Sequence, residues 1–560
     1  MRSYRLIRSV PQVCVLFFLF PLSVAWAADN KDAGLVGHWK LLNDCRDSSV
    51  CGNHGVNHGV KFNAAEGASF DGVQSHIEVP HSASLKLGKG DCSIAVWVHT
   101  EDKLDDVLGD ILSKYDPLTR RGMNFLLMNY VGNASAQSNY KNLFFGIDVG
   151  GKPPAWSDCG RPGNNKIVWA LTVFNGHLYA GTWEPGERQA GHVYRYEGGT
   201  RWIDCGAPDR CNAICTLCEH DGKLYAGSAF YSGRGSALPV SPNKNPGGKV
   251  FRYEGGKQWT DCGKIGDVYT TSALVSFDGK LYATTCDSYG CPTRTAAAYR
   301  YNGDKKWTYV GSASGRLGAF CVYNGILYAT VFGEDGMARY DGDKEWISLG
   351  AVPQTSQTYS AVIHKGKICV GTWPTASVFR YDGDAGFTSL GRLGEEKEVM
   401  ALAVYNGKLY GGTLPLGQVY RYDESKGWTC TGQLDTTPDV RYRRVWSMAV
   451  YDGKLFAGTL PSGHVLSLEA GKCVSFDRTL PSGWHHLAAV KAGDKLQLYL
   501  DGKCVAHSTS TVPADYDFSN KRPLIIGFGE HDYFNGKMRD LRIYNRSLDA
   551  AEIGRLAERP

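Results

Sequence analysis

The stretch DGKLYAGSAF, residues 221–230, decides the fold of this protein because the chain repeats it. It returns as DGKLYATTCD at residues 278–287 and as NGKLYGGTLP at residues 406–415. In each copy an Asn-Gly or Asp-Gly pair, which favours a tight hairpin turn, precedes a Leu-Tyr segment typical of a strand. The turn glycine recurs seven times, 41 to 57 residues apart, at Gly176, Gly222, Gly279, Gly325, Gly366, Gly407 and Gly453.

Each repeat predicts one four-stranded blade of a β-propeller. The unit at residues 168–206, VWALTVFNGHLYAGTWEPGERQAGHVYRYEGGTRWIDCG, divides into four segments of strand character joined by turns. Four strands in a period of this length are typical of a propeller blade and not of a helical solenoid.

An aromatic residue followed four positions later by glycine marks the outer strand of each unit. The first copy precedes every turn glycine and no copy follows the last one, so the opening strand is expected to complete the last blade. Such a ring of seven blades leaves no open sheet edge. In this general pattern the chain resembles kelch-like seven-bladed propellers, although it lacks the paired-glycine kelch signature. The copies are Trp156-Gly160, Trp202-Gly206, Trp259-Gly263, Trp307-Gly311, Trp346-Gly350, Phe387-Gly391 and Trp428-Gly432.

The segments on either side of the repeats are the two halves of another domain. FDG, SIAVWV and ILSK precede the repeats, and WHHLA, LYLDG and DLRIYNRSL follow them. Joined in this order, they resemble a laminin-G-like jelly roll of the concanavalin A-like type. The fold class is therefore all-β: a concanavalin A-like jelly-roll sandwich with an inserted seven-bladed β-propeller. The predicted parts are a signal peptide at 1–27, a sandwich half at 33–152, the propeller at 153–470 and the second sandwich half at 471–556.

Residues 1–27 have the pattern of a secretory signal, with basic residues, an apolar run and the triplet Ala25-Trp26-Ala27. Three arginines leave with this segment, so the net charge falls from +5 to +2. A near-neutral exported chain argues against a nucleic-acid partner. No later apolar run is long enough to span a membrane. We expect a secreted or extracytoplasmic protein, in a periplasm or at a cell surface.

The cysteines suggest disulfide bonds, and the laminin-G resemblance suggests a metal site. Sixteen cysteines remain after the signal, and an export compartment permits disulfides. The short loops Cys45 to Cys51 and Cys286 to Cys291 are the candidate pairs. The laminin-G resemblance also implies a structural calcium ion, which would fall on Asp44 and Asp540 together with backbone carbonyl groups.

The propeller's channel mouth is the expected ligand site because loops on a rigid ring vary freely. Counting seven residues back from each turn glycine gives one position at the start of each inner strand. We call this set the channel column: Trp169, Cys215, Ser272, Gly318, Tyr359, Met400 and Trp446. Aromatic rings can stack on sugars, and arginines bind carboxylate or sulfate through two contacts. The ligand-binding candidates are Trp169, Trp183, His192, Tyr359, Trp373, Tyr442, Arg443, Arg444 and Trp446.

Three classes of function fit these features. The first is an exported, lectin-like carbohydrate-binding protein, whose partner is a glycan such as an anionic polysaccharide, with the propeller face as a second ligand or partner site. The second is a polysaccharide lyase or glycoside hydrolase with its active site at the channel mouth, although no sharp catalytic motif is present. A lyase would use Tyr442, Arg443, Arg444 and His192, and a hydrolase would use Glu184, Asp287, Glu334 and Asp335. The third is a non-catalytic scaffold that binds another protein.

Overall fold

The computed structural model describes residues 1, 33–130, 135–151, 155–286, 296–333 and 335–558. The signal-peptide prediction at 1–27 therefore falls almost entirely outside the described residues. Gly34–Pro560 form one compact unit, and strands dominate it. None of the helices in the described part of the chain could cross a membrane. Three short 3₁₀ helices lie at Ala83–Leu85, Arg234–Ser236 and Gly383–Ala385.

The first part of the chain supplies nine strands within its described residues. Most are buried, because apolar side chains alternate along them and point into a shared core. They are β1 Leu35–Trp39, β2 Val56–His58, β3 Lys61–Asn63, β4 Gly67–Asp71, β5 His76–Val79, β6 Cys92–Thr100, β7 Gly109–Asp116, β8 Arg121–Met128 and β9 Asn142–Val149.

The middle of the chain supplies 28 described strands, in groups of four. One strand, β10 Ser157–Asp158, precedes the groups. The groups are β11 Ile167–Phe174, β12 His177–Trp183, β13 Val193–Tyr196 and β14 Trp202–Asp204; β15 Ala213–His220, β16 Lys223–Ala229, β17 Lys249–Gly255 and β18 Gln258–Lys264; β19 Thr270–Phe277, β20 Lys280–Cys286, β21 Ala298–Tyr301 and β22 Trp307–Tyr309; β23 Arg316–Tyr323, β24 Ile326–Phe332, β25 Met337–Tyr340 and β26 Trp346–Ser348; β27 Gln357–His364, β28 Lys367–Trp373, β29 Ser377–Tyr381 and β30 Phe387–Arg392; β31 Glu398–Tyr405, β32 Lys408–Leu414, β33 Gln418–Asp423 and β34 Gly427–Gln433; and β35 Arg444–Tyr451, β36 Lys454–Leu460 and β37 Val465–Leu468.

The last part of the chain returns to the sandwich. Its one α-helix begins with a reciprocal capping box between Asp549 and Glu552, which satisfies free amide groups of the first turn. The elements are β38 Lys472–Phe476, β39 Gly483–Ala492, β40 Lys495–Leu500, β41 Lys503–His507, β42 Leu524–Ile526, β43 Asn535–Tyr544 and α1 Ala550–Ala557.

Two antiparallel sheets form the sandwich. One has the strand order β3-β4-β43-β6-β39-β40-β41, with β1 also paired to β43, and the other has the order β2-β5-β42-β7-β8-β9-β38. Each sheet combines strands from both ends of the chain. The core between them contains Trp39, Phe125, Phe145 and Phe534, all fully buried. The sandwich therefore depends on both halves of the split sequence.

The propeller strands are inserted between two neighbouring strands of one sandwich sheet. The chain leaves the sandwich after β9 and returns as β38, which pairs antiparallel with β9 from Ile147↔Lys472 to Leu143↔Phe476. The predicted boundary at 153 lies outside the described residues, and the one at 470 falls between β37 and β38.

The first and last groups of the propeller meet. Strand β10 pairs with β37 through Ser157↔Ser467 and Asp158↔Leu466, so it becomes the fourth strand of the last group. The Ser447 hydroxyl of that group donates to the Val168 carbonyl of the first group at 3.0 Å. The sheet edges at the two ends of this segment are thereby joined.

Most of the hairpin turns between the first and second strands of the seven groups lie against the sandwich. A methyl group placed at six of the seven turn glycines would come within 4 Å of a sandwich residue. At the seventh, Gly222, it would meet nothing within 4 Å. Buried apolar side chains of both domains also pack in one cluster, with Leu126 and Phe144 against Val404 and Tyr405. The six contacts are Gly176 with Arg478, Gly279 with Lys103, Gly325 with Asp105, Gly366 with Tyr533, Gly407 with Asn124 and Gly453 with Cys473.

A short sandwich segment enters the propeller channel from this side. Residues 135–139, which we call the channel segment, connect β8 to β9 and lie between the inner strands. The Val173 amide donates to the Ser138 carbonyl at 2.8 Å, and the Asn139 amide group donates to the Val450 carbonyl at 2.8 Å. The channel is therefore occupied at its sandwich end.

The predicted disulfide between Cys45 and Cys51 is absent from the structure. The Cys45 thiol instead donates to the Gly55 carbonyl at 3.1 Å, while Cys51 is exposed. No disulfide joins any two cysteines of the described ranges. Cys291, the predicted partner of Cys286, lies outside those ranges, so that pairing stays a prediction.

Candidate functional site

The channel column is positioned by an irregularity in every inner strand. In all seven strands the pairing register shifts at the column residue, for example between Val168 and Ala170 around Trp169. A bulge of this kind redirects a side chain out of the regular alternation. All seven column residues line one cavity of about 500 Å³, which we call the ring cavity.

A second set of side chains lines the ring cavity two residues before the column. Residues two apart lie on the same face of a strand, so each inner strand offers a second position. In the first three groups these are Ile167, Ala213 and Thr270, and in the last four they are polar: Arg316, Gln357, Glu398 and Arg444. The polar four and Thr270 line the ring cavity. The cavity thus has one polar side.

Aromatic residues also line the cavity. The Trp169 ring lies 4.5 Å from the Trp446 ring and 4.8 Å from the Tyr231 ring, measured between centroids. Trp373 and Tyr442 also line the cavity. Large aromatic faces beside a few polar groups are typical of small-molecule sites.

A buried ion pair anchors the polar side. Arg444 Nε lies 2.7 Å from Glu398 Oε1, and both side chains are almost fully buried. Burial raises the pKa of the Glu398 carboxyl above its usual range, and the Arg444 charge opposes this shift. Burial together with the Glu398 charge also raises the pKa of the neighbouring Tyr359 hydroxyl. That hydroxyl bonds to Gln357. Arg444 is therefore neutralised within the protein.

Arg316 differs from Arg444 because no carboxylate of the described residues lies within 4.0 Å of it. Its guanidinium stacks on the Phe332 ring at 3.7 Å, and its buried Nε has no hydrogen-bond partner in the described structure. Arg316 is half-buried and lines the ring cavity. It offers a positive charge to a bound group.

Three of the predicted ligand residues lie outside the cavity lining. Trp183 is fully buried, and its indole donates to the Tyr231 carbonyl at 3.1 Å. His192 lies 2.8 Å from Asp204, and Arg443 donates to the Thr437 carbonyl at 2.6 Å. These three side chains support neighbouring segments. The other six candidates, Trp169, Tyr359, Trp373, Tyr442, Arg444 and Trp446, are brought together in the ring cavity.

The predicted hydrolase carboxylates are not gathered at the cavity. Glu184 is buried and accepts from Tyr194 at 2.9 Å, and Asp335 accepts from Ser348 at 2.8 Å. Asp287 and Glu334 lie outside the described residues. Glu398 is the one carboxylate among the described lining residues.

Asp540, one of the two predicted calcium ligands, is held by His38 and Arg542. Its carboxylate lies 2.7 Å from His38 Nε2 and accepts from Arg542 at 2.9 Å. Calcium prefers a shell of oxygen atoms, so a bound ion would have to replace these nitrogen partners. Asp44 is exposed and lies beside Arg46. In the described part of the chain no group of three or more potential ligand side chains could hold a metal ion.

Sequence reasoning missed several lining residues. Glu398 and Gln357 could have been found by counting nine residues back from each turn glycine instead of seven. Tyr231 lies in the loop after β16, and counting back from the turn glycines cannot find it because no repeat position corresponds to it.

One protein family matches part of the chain. Its profile, described as the concanavalin A-like lectin/glucanases superfamily, matches residues 457–554. This range begins within β36, includes the sandwich strands β38 to β43 and ends within α1. No curated protein matches the chain.

Solved structures that resemble the chain include several propellers. A structure described as YCF48 bound to D1 peptide is 12% identical and covers 57% of this chain and 99% of its own, with a TM-score of 0.39. The WD40 propeller domain of Doa1 is 11% identical, with coverages of 56% and 97% and a TM-score of 0.40. An inactive virginiamycin B lyase from Staphylococcus aureus with quinupristin is 10% identical, with coverages of 55% and 97% and a TM-score of 0.40.

Proposed function

We propose that this protein is an exported carbohydrate-binding protein whose ring cavity binds a sugar carrying a carboxylate or sulfate group. The observation that carries the proposal is the mixed lining of the cavity. Aromatic rings of Trp169, Trp373 and Trp446 line it together with Arg316 and the other polar residues of the inner strands. The lining therefore offers apolar faces for a sugar ring and polar groups for its charged and hydroxyl substituents.

Arg316 is the residue that selects an anion in this proposal. Its guanidinium has no carboxylate partner among the described residues, whereas Arg444 is paired with Glu398. A guanidinium binds carboxylate or sulfate through two parallel hydrogen bonds. Stacking on Phe332 holds Arg316 in place, so little side-chain entropy is lost when a ligand binds.

The finer architecture belongs to this proposal as well. We infer that the seven four-stranded groups are the blades of a closed, kelch-like ring, because β10 completes the last group and the last group contacts the first. A closed ring holds the seven column residues at fixed positions around one axis. The sandwich, a fold that often binds glycans, would then contact the same polysaccharide molecule or a second one.

A second candidate is a polysaccharide lyase, and the position of Glu398 favours it. Burial raises the pKa of its carboxyl, and Tyr359 lies beside it. A carboxyl with a raised pKa is a stronger base than an ordinary carboxylate and can accept and return a proton. In this alternative Arg316 would neutralise the carboxylate of a uronate during proton removal.

The test is a calorimetric titration of residues 28–560 with galacturonate, glucose and sulfated trisaccharides. We expect binding of an acidic sugar and a reduction of at least tenfold in its affinity in Arg316→Gln. The matched control is Arg339→Gln. Arg339 lies in the same four-stranded group as Arg316, and its exposed guanidinium faces Asp341. The control should bind like the unchanged protein.

Other outcomes of this titration discriminate between the classes. Release of unsaturated oligosaccharides from polygalacturonate would assign the protein to the lyases. Equal affinity for neutral and acidic sugars would remove the role of Arg316. Absence of binding by every sugar would favour a scaffold that binds protein.

Export and calcium binding are tested separately. We propose export from the leader at 1–27, and N-terminal sequencing of the mature protein should begin at Ala28. Calcium binding at Asp44 and Asp540 stays a prediction of the laminin-G resemblance. It requires that calcium raise the Tm and that Asp540→Asn abolish the increase.

A further inference from the structure

The channel segment closes the base of the ring cavity. Ser135 lines the cavity, and its carbonyl accepts from the Thr216 hydroxyl, one residue below the column position Cys215. Gln137 lies deeper and is fully buried. Its side-chain oxygen accepts from the Ser276 amide at 3.1 Å.

The contacts of this segment continue toward the sandwich. The Ser138 hydroxyl donates to the Met448 carbonyl at 2.7 Å, and Asn139 bonds to both backbone groups of Val450. The segment thus bonds to four of the seven inner strands: β11, β15, β19 and β35. Since all these polar atoms are paired and buried, the segment is a fixed part of the channel.

A cavity with a closed base limits how a polymer can enter. A chain that threaded the ring would need to leave through the space that Gln137 and Asn139 fill. An internal unit of a polymer would need both of its neighbours to leave through the same mouth. A terminal unit has one neighbour only and meets neither obstacle.

We propose that the ring cavity binds the terminal unit of an acidic polysaccharide and not an internal unit. This inference rests on the function proposed above, and it adds the part of the polymer that is recognised. The volume of about 500 Å³ lies within the range of roughly 300–1,000 Å³ that small-molecule sites have. It suits a short chain end.

The test compares the same mass of polygalacturonate before and after partial hydrolysis. Hydrolysis increases the number of chain ends at a constant amount of uronate. We expect the concentration of bound protein at saturation to rise in proportion to the number of ends. Digalacturonate should compete completely for both preparations.

A tag shows whether an end enters the cavity, and which end. A bulky fluorophore at the reducing end of a galacturonate pentamer should abolish binding if that end enters. A pentamer blocked at the other end should then bind normally, and the reverse pattern would identify the other end. Binding of both blocked pentamers would overturn the inference.

The remaining outcomes separate this inference from the function beneath it. Saturation that depends on uronate mass alone, with no competition by digalacturonate, would overturn the chain-end inference and leave acidic-sugar binding intact. Failure of every uronate preparation and of the sulfated trisaccharides to bind would overturn both.

Discussion

One ion pair, between Glu398 and Arg444, lies on the polar side of the ring cavity. Glu398 and Arg444 are both almost fully buried, with Nε and Oε1 2.7 Å apart. Removing one partner of a buried pair leaves an uncompensated charge, which is more costly than replacing both. A substitution of either residue in the cavity lining is therefore expected to lower the free energy of unfolding as well.

Arg444→Met should lower the free energy of unfolding by about 3–5 kcal/mol. The loss should be smaller at pH 5 than at pH 8, because protonation of Glu398 removes the isolated charge and burial already raises its pKa. Urea denaturation at both pH values measures this.

The double variant Glu398→Gln, Arg444→Met is the control for this prediction. It should recover most of the lost stability, since neither charge remains. An equal loss in the single and double variants would show that the guanidinium contributes by packing on Trp446, whose ring centre lies 4.7 Å away.

The ion pair also shows what sequence can and cannot reveal about single residues. Arg444 was predicted because it stands beside the aromatic Trp446 in a basic, aromatic stretch. Glu398 was not, because its pairing with Arg444 crosses from one inner strand to the next. Neighbouring strands contribute to one site only after the ring has formed, and repeat counting does not give side-chain contacts.

At the scale of the elements, the repeat itself was the strongest predictor. The distance from the turn glycine back to the channel is constant because each inner hairpin has the same length and the same bulge. That regularity allowed the channel column to be located by counting. The channel segment could not be located by counting, because residues 135–139 lie in the sandwich half and have the polar composition of an ordinary loop.

Asn139→Ala should destabilise the protein by roughly 2–4 kcal/mol. Asn139 is fully buried and bonds to the amide and carbonyl of Val450, so its loss leaves buried backbone groups unpaired. Equilibrium unfolding in urea provides the measurement.

Asn302→Ala serves as the comparison, since the side-chain amide of Asn302 donates to the Thr308 hydroxyl at the surface. Its effect should stay below about 1 kcal/mol. Equal effects of the two substitutions would mean that the channel segment does not depend on its contacts with the inner strands.

At the scale of the whole molecule, the turns that begin each repeat also join the two domains. Sequence inspection identified both domains and the insertion, because each has its own pattern. It could not show that six of the turns contact the sandwich, since at the same turn position, Gly222, an added methyl group would meet nothing within 4 Å. Docking depends on surfaces that only the assembled domains present.

Gly407→Ala should destabilise the protein more than Gly222→Ala. Both glycines have positive φ, at 72° and 63°, so both alanines carry similar backbone strain of roughly 1 kcal/mol. Only at Gly407 would the new methyl group meet a sandwich residue, 2.9 Å from Asn124. Thermal unfolding of the two variants measures the difference, and equal Tm values would mean that the interface adjusts without cost.

The domain interface should also respond to pH through Asp477. Burial raises the pKa of its carboxyl to about 7. A raised folded-state pKa means that the folded protein keeps a proton that the unfolded chain releases near pH 4, so this group's contribution to stability falls between about pH 4 and pH 7.

Asp477→Asn removes that proton-binding group while keeping the side chain's size. The variant should therefore gain stability relative to the unchanged protein as pH rises, by roughly 1–4 kcal/mol between pH 4 and pH 8. Urea titrations across this range test it, and a difference that stays constant with pH would exclude the titration of Asp477.

The antiparallel pairing of β9 with β38 imposes an order on biosynthesis. Strand β9 is made early, but its partner β38 is separated from it by the entire propeller sequence. Strand β10 likewise waits for β37, the strand just before β38. At roughly 5–20 residues per second, translation leaves one edge of β9 and the whole of β10 without a partner strand for tens of seconds. When the stretch from β37 to β38 emerges, the ring and the sheet can be completed together, and until then a chaperone has two exposed edges to cover.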